Sequence, residues 1–267
     1  MHYYFSKDFE RYNLKELKKA DYWVCENCGF VSSKTHAEMS DDQWGSLNHS
    51  YHGEFLKNSP IKTDDPKWDD RLQKQCDFIV NLVNAGILKK GNWVDWGCGG
   101  GDLADKLNEH NIYLQKYDRY FPHISEEQLK SIKYDLVINT SVLEHVRDMN
   151  PFIEMNGLLK DDGIMAVHTL VREEIPYDPN WFYLLPVHCS FYTNKAMQII
   201  FDKFGYKTSI YHYESSLWLW FKVQEYKTEF LEIAKKYKDE LKTLPSFSCK
   251  ENGFMDYWKL KKWDIAR

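Results

Sequence analysis

From residue 69 onward the chain alternates between two hydrophobic periods. The stretch RLQKQCDFIVNLVNAGIL places Leu72, Cys76, Ile79, Val80 and Val83 at helical spacing and stops at Ala85-Gly86, which predicts a helix. Strand-like and helix-like segments then take turns. The pattern predicts a strand over 93–96, a helix over 102–109, a strand over 112–117, a helical fragment over 126–130, a strand over 134–139, a helix over 149–159 and a strand over 164–170. YDLVIN (134–139) is apolar almost throughout, as expected of a strand covered on both faces. Such alternation predicts an α/β fold, a parallel sheet with helices on both faces. After a stretch over 171–192 rich in proline and aromatic residues, a helix is expected over 194–204. Two strands joined by Glu214-Ser215-Ser216 read as a closing hairpin.

The flanks are patterned differently. Residues 1–60 hold short polar and aromatic runs, a Cys25-x-x-Cys28 pair and scattered histidines, ending at Ser59-Pro60. They read as a small irregular N-terminal module. Residues 61–226 read as the main domain and 227–267 as a C-terminal helical extension whose amphipathic part runs over 228–241. A chain of 267 residues is long enough for one sizeable core with additions.

Composition narrows the partners. A formal charge of −5 supplies no field favouring a polyanion, and no basic patch stands out, so a small-molecule acceptor is expected and a nucleic acid is not. No segment approaches the roughly 18 apolar residues of a membrane span, and MHYYFSKDFERYNLKELKK is charged where a signal peptide is apolar. A cytoplasmic protein without a membrane partner is expected. Oligomeric state is not legible. Six cysteines with one tight pair do not make a disulfide framework.

The densest chemistry lies in NWVDWGCGGGD, which puts glycine at 97, 99, 100 and 101 after a short strand. At the first strand-to-helix turn of a doubly wound sheet, glycines permit close approach of a ligand. A dinucleotide fingerprint wants glycine where Asp102 stands, and a carboxylate at a helix N-terminus competes with a pyrophosphate for the same dipole. Asp102 reads either as a helix cap or as a functional carboxylate. Twenty-one positions past Gly97, Asp118 ends the next predicted strand in YLQKYDRY, where an acidic side chain can accept both ribose hydroxyls.

In sequence, VDWGCGGGDLADKL, YDRY, YDLVINTSVLEHVRD and LLKDDGIMAVHTL resemble the successive motifs of class I S-adenosylmethionine-dependent methyltransferases, over roughly 72–223. The resemblance implies a Rossmann-like seven-stranded sheet whose last strand is antiparallel, with S-adenosylmethionine as cofactor. It implies that Asp95, Gly97, Gly99 and Gly101 form the loop against the methionine part, that Asp118 holds the ribose, and that Asn139 and Thr140 contribute from the fourth strand. Only fifteen residues separate Asp118 from Tyr134, so the usual helix and third strand are abbreviated; Tyr117, Arg119 and Phe121 are candidates for the adenine pocket.

An alcohol acceptor must lose a proton during methyl transfer, and neutral imidazole is a natural base. His145, His168 and His188 fall at expected carboxyl-side positions of the sheet, and the segment around His188 resembles one in sugar-modifying relatives. Arg172, Tyr177, Trp181 and Tyr192 are the acceptor-binding candidates. The acceptor class this suggests is a sugar, nucleotide-linked sugar or phosphorylated metabolite of bacterial surface-glycan biosynthesis. Cys25-Glu26-Asn27-Cys28-Gly29 resembles half of the zinc module found in some sugar methyltransferases, without its earlier cysteine pair. Two readings stand: zinc completed by His49 and His52, or a module without metal. Competing readings of the whole chain are an NAD-dependent oxidoreductase and a non-catalytic zinc-binding interaction module on a degenerate fold.

Overall fold

The computed structural model describes residues 1–55, 67–121, 123–212 and 214–223. In chain order the elements are β1 (His2–Asp8), β2 (Lys19–Val24), β3 (Val31–Ser33), α1 (Lys34–Ala37), α2 (Asp41–Asn48), α3 (Trp68–Asn84), β4 (Trp93–Trp96), α4 (Asp102–Asn108), β5 (Gln115–Tyr117), α5 (Glu126–Lys130), β6 (Tyr134–Thr140), α6 (Asn150–Leu158), β7 (Leu159–His168), β8 (Val171–Arg172), β9 (Ser190–Thr193), α7 (Asn194–Lys203), β10 (Thr208–His212) and β11 (Leu217–Phe221). The helix expected over 228–241, with the whole extension from 227, lies outside the described residues.

These elements form two compact units. The described residues of Asp69–Thr140, Phe152–His168 and Ile200–Arg267 make one of them. Its sheet has the order β10-β11-β7-β6-β4-β5. β7, β6, β4 and β5 run parallel, while β11 is antiparallel to both β7 and β10. Six strands are present among the described residues rather than seven. The shortfall falls where the sequence is short: between Asp118 and Tyr134 the described chain forms only the five-residue α5.

Packing follows the sequence pattern. α3 buries Leu72, Gln75, Cys76, Phe78, Ile79 and Leu82, the one-sided stripe its spacing prescribes, and each fully buried large apolar side chain is worth roughly 1.5–3 kcal/mol. Phe78 stacks on His212 with ring centroids 4.0 Å apart, and Gln75 donates to the Ser215 carbonyl at 3.2 Å, so α3 lies against the β10–β11 hairpin. All four residues of β4 are buried, as are five of the seven in β6.

One feature of the topology positions the site. From β4 the chain moves to β5 on one side, then returns to place β6 on the other. The carboxyl ends of β4 and β6 thus flank a topological switch point, where doubly wound sheets leave a crevice for ligand.

The second unit comprises the described residues of Met1–Trp68, Ser141–Pro151 and Thr169–Ile199. Its strands follow the order β1-β2-β3-β9-β8. β3 is antiparallel to β9, pairing Val31 with Phe191 and Ser32 with Ser190. The boundary expected at residue 60 therefore does not delimit a free-standing module. A two-stranded hairpin alone is marginal in water, and β3 gains the strand Ser190–Thr193 as a neighbour. Phe5, Phe9, Tyr22, Val31, Trp44, Leu47, Trp181, Leu184 and Phe191 share one core, so the first sixty residues carry core positions that their irregular spacing conceals.

Candidate functional site

The glycine loop follows β4. Gly97, Gly99 and Gly101 all take left-handed angles, with φ of +77°, +55° and +87°. At Gly101 a side chain would also meet Lys116, whose Cδ and Cε lie 2.5 Å from an added Cβ. The positive φ is what favours glycine there, since the tip of the lysine side chain can move aside. Gly101 is the residue preceding α4, with no side-chain cap. Asp102 is the first residue inside the helix, so it faces the dipole from the first turn rather than capping it.

Four of the loop's amides bond within the protein. Gly97 and Cys98 both donate to the Tyr117 carbonyl, at 2.7 and 3.1 Å, and Gly101 donates to Cys98 at 2.8 Å. Gly99 donates to Asp118 Oδ2 at 2.9 Å, while Asp118 Oδ1 accepts from the Tyr120 amide at 2.7 Å. Few N–H groups are left to cradle a pyrophosphate. His123, which sequence reasoning did not single out, sets Nε2 2.8 Å from the Gly99 carbonyl. The shortened connection after β5 thus folds back onto the loop.

Carboxylates dominate the electrostatics. Asp95 is almost fully buried at 2% exposure, and its Oδ1 has no hydrogen-bond partner. Burial, with the negative charges of Asp118 and Asp102 added and Lys116 opposing, pushes its carboxyl up to about 7. Asn139, fully buried on β6, donates to the Trp96 carbonyl at 3.2 Å, and its Oδ1 is likewise without a partner. A buried acceptor left unpaired costs about 1–3 kcal/mol. Two such oxygens on the strands that flank the switch point fit a ligand bearing donors and positive charge. Thr140 ends β6 beside them in sequence. Of the adenine candidates, Tyr117 is buried, Arg119 lies 3.7 Å from Glu154, and Phe121 is exposed.

The other unit holds the histidines. Glu144, His145 and His188 bring their ligating atoms within 4.8 Å of one another, the one such group of histidine, cysteine and acidic side chains among the described residues. The His145 and His188 rings meet edge to face at 4.8 Å between centroids, and His52 stands next to His145 at 5.6 Å. His188 Nδ1 donates to the Tyr183 carbonyl at 2.9 Å, so Nε2 is the ring nitrogen left for other partners. Burial, with His188 and His52 adding to it, holds the His145 imidazole well below its usual range and hence neutral. Glu144, 2% exposed and not anticipated from the sequence, accepts from Tyr183 Oη and Thr169 Oγ1, both at 2.8 Å.

Several expected site residues take other roles. His168 ends β7 and is not part of this group; burial, then Arg71, lowers its affinity for a proton. Trp181 and Tyr192 are core residues at 8% and 2% exposure. Trp181 packs on Phe191 and Tyr183, and the Tyr192 hydroxyl donates to the Leu143 carbonyl at 3.1 Å. Neither aromatic face is open to stack on a sugar. Tyr177, by contrast, is 70% exposed, and Arg172 is half-buried on β8.

Nor do the four expected zinc ligands assemble. Cys25 and Cys28 sit in the turn between β2 and β3, closed by Cys25 N–H to Phe30 at 2.8 Å and Gly29 N–H to Cys25 at 2.7 Å. His52 is instead beside His145, and His49 is in the π-helical turn His49–Phe55. The Cys-x-x-Cys spacing forms the turn but does not bring a histidine pair to it. Amides of Cys28 and Asn27 lower the Cys25 thiol, while burial raises that of Cys28.

The sheet order and the glycine loop at the switch point define a doubly wound α/β domain. Residues 68–209 match the family model described as "Methyltransferase domain", and the chain belongs to that family. Curated relatives include the ubiquinone biosynthesis O-methyltransferases of Pelagibacter ubique (strain HTCC1062), 33% identical over 31% of this chain and 43% of that protein, and of Bartonella quintana (strain Toulouse), 30% identical over 30% of this chain and 41% of that protein. The match thus spans less than half the length of either. Among solved structures, a SAM-dependent methyltransferase from Archaeoglobus fulgidus aligns with a TM-score of 0.39 at 18% identity, over 56% of this chain and 78% of that one. No helix among the described residues is long and apolar enough to cross a membrane.

Proposed function

We propose that the protein is an S-adenosylmethionine-dependent O-methyltransferase acting on a small polar acceptor. One observation carries the reading: a glycine loop with the amides of Gly97, Cys98, Gly99 and Gly101 already bonded within the protein follows the buried Asp95, which feels the charges of Asp118 and Asp102. Committed amides and a negative field suit an α-ammonium and a sulfonium, and oppose a pyrophosphate. Asp95, Gly97, Gly99, Gly101, Asn139 and Thr140 hold the methionine end, and Asp118 the ribose. The two orphan oxygens, Asp95 Oδ1 and Asn139 Oδ1, are the acceptors this ligand would satisfy.

Methyl transfer is an in-line displacement at the sulfonium carbon. The protein's part is to hold acceptor and donor in line, to exclude water, and to take the acceptor's proton. Glu144, His145 and His188 are the group assigned to that proton, with His188 the first residue to test. O-methylation is the activity the curated relatives' names carry, and an alcohol acceptor needs a proton acceptor such as a histidine. A surface-glycan sugar as acceptor loses Trp181 and Tyr192 as stacking faces; Tyr177 and Phe182, 70% and 71% exposed, remain as aromatic candidates.

Thermal unfolding with S-adenosylhomocysteine, with NAD and with neither tests the reading. At a hundredfold excess over its dissociation constant a ligand stabilises by roughly 2.7 kcal/mol, or about 5–10 °C for a chain of this size. The shift is expected with S-adenosylhomocysteine; a shift with NAD alone would establish the oxidoreductase alternative. A pH series adds a second check. With its carboxyl near pH 7, Asp95 must ionise to receive the ligand's ammonium, so binding is full above that pH and weakens roughly tenfold per unit below it. Calorimetric titration between about pH 5 and 8 should show this slope in the native protein and not in Asp95→Asn. An equal slope in the variant would assign the proton elsewhere.

A further inference from the structure

The histidine group has the donor set of a metal site, in a different part of the unit from the cysteine pair. His188 Nδ1 is tied to the Tyr183 carbonyl at 2.9 Å. His145 Nδ1 is closed to solvent and has no hydrogen-bond partner, while the ring bonds to the Val187 backbone through its other nitrogen. Each imidazole is thus anchored through one nitrogen, which leaves the other available to a metal ion. Metal-binding histidines have this arrangement, the anchoring bond fixing tautomer and ring orientation. Between them lies a buried carboxylate, Glu144, whose two partners, Tyr183 and Thr169, are neutral hydroxyls. Buried charges are ordinarily paired or bound to metal, and neutral hydroxyls orient a carboxylate without cancelling its charge.

We propose that Glu144, His145 and His188 bind a first-row divalent cation of the zinc class, through one carboxylate oxygen, His145 Nδ1 and His188 Nε2. Two neutral imidazoles and one carboxylate are a known donor set for such ions, and three protein ligands leave a coordination position open to an oxygen donor. Ion–ligand bonds of about 2.0–2.2 Å require ligand separations of roughly 3.4 Å. The group, now within 4.8 Å, therefore closes by about an ångström on binding. This site does not depend on the methyl-transfer reading. An ion bound there would engage the His188 Nε2 lone pair, so in the metal-loaded protein His188 is a ligand and not the proton acceptor.

Cobalt(II) titration of the metal-stripped full chain, followed by visible absorption and back-titrated with zinc, tests the assignment. One equivalent of cobalt with tetrahedral or five-coordinate absorption is expected. The spectrum should persist in the Cys25→Ser, Cys28→Ser double variant. It should be lost, or need at least tenfold more metal, in Glu144→Gln and in His188→Gln, with His145→Gln as the third variant; only variants with native circular dichroism are scored. No spectrum in the native chain, or one that the cysteine variant abolishes and the folded Glu144 and histidine variants retain, overturns the site. S-adenosylhomocysteine binding is measured on the same samples. Cobalt binding without cofactor binding would defeat the methyltransferase reading alone, and the converse would defeat the metal site alone.

Discussion

Replacing His188 with alanine is expected to lower turnover by roughly 10²–10⁴-fold, the usual contribution of a positioned proton acceptor, while S-adenosylhomocysteine binds as in the native protein. The side chain is buried at 3% exposure, and the bond from Nδ1 to the Tyr183 carbonyl leaves Nε2 as the nitrogen free to take a proton. Its neighbour His145 is kept neutral by burial. Transfer of a labelled methyl group from S-adenosylmethionine into a metabolite extract measures the loss even while the acceptor is unidentified. Native-level transfer in His188→Ala would remove this residue from the chemistry and shift attention to His145.

The second large effect is expected at Asp118. Both of its oxygens already accept backbone N–H bonds, from Gly99 and Tyr120, so the carboxylate does two jobs. It fixes the loop's shape, and its remaining lone pairs face the ribose hydroxyls in the proposed complex. Hydrogen bonds to a charged group are worth about 1.5–3 kcal/mol, which makes Asp118→Ala about 10–150-fold weaker for S-adenosylhomocysteine by calorimetry. Unchanged affinity would withdraw the ribose assignment.

How far the sequence could be read depended on whether a feature was local. The strand-to-helix turn at 97–101 was legible because glycine takes a positive φ at little steric cost, and Gly97, Gly99 and Gly101 have such angles. Asp118 was legible by its distance from Gly97 and follows directly on β5. The resemblance implied seven strands, with the third abbreviated by the short link after Asp118; six are found among the described residues. Non-local pairings were not legible. Nothing in VSSKTH announces that Val31 pairs with Phe191, far along the chain, so the first sixty residues looked coreless. Trp181 and Tyr192 looked like ligand surfaces because an aromatic residue reads alike in a core and in a pocket.

The same limit applied to the histidines. His145, His168 and His188 all fell at expected carboxyl-side positions of the sheet, yet the third ring beside the first and last is His52, contributed from the N-terminal segment. Glu144 was hidden inside LEHV, where an acidic residue before a histidine reads as solvated surface. Its burial follows from hydroxyl donors at 169 and 183, positions no short motif connects.

Hydrogen exchange of the native chain with and without S-adenosylhomocysteine tests the central claim most directly. Binding at the switch point predicts slower exchange at the amides of 97–102, 118–120 and 139–140. Protection absent from all three segments while the ligand is demonstrably bound, or no binding at millimolar concentration, would contradict the cofactor site and with it the proposed activity.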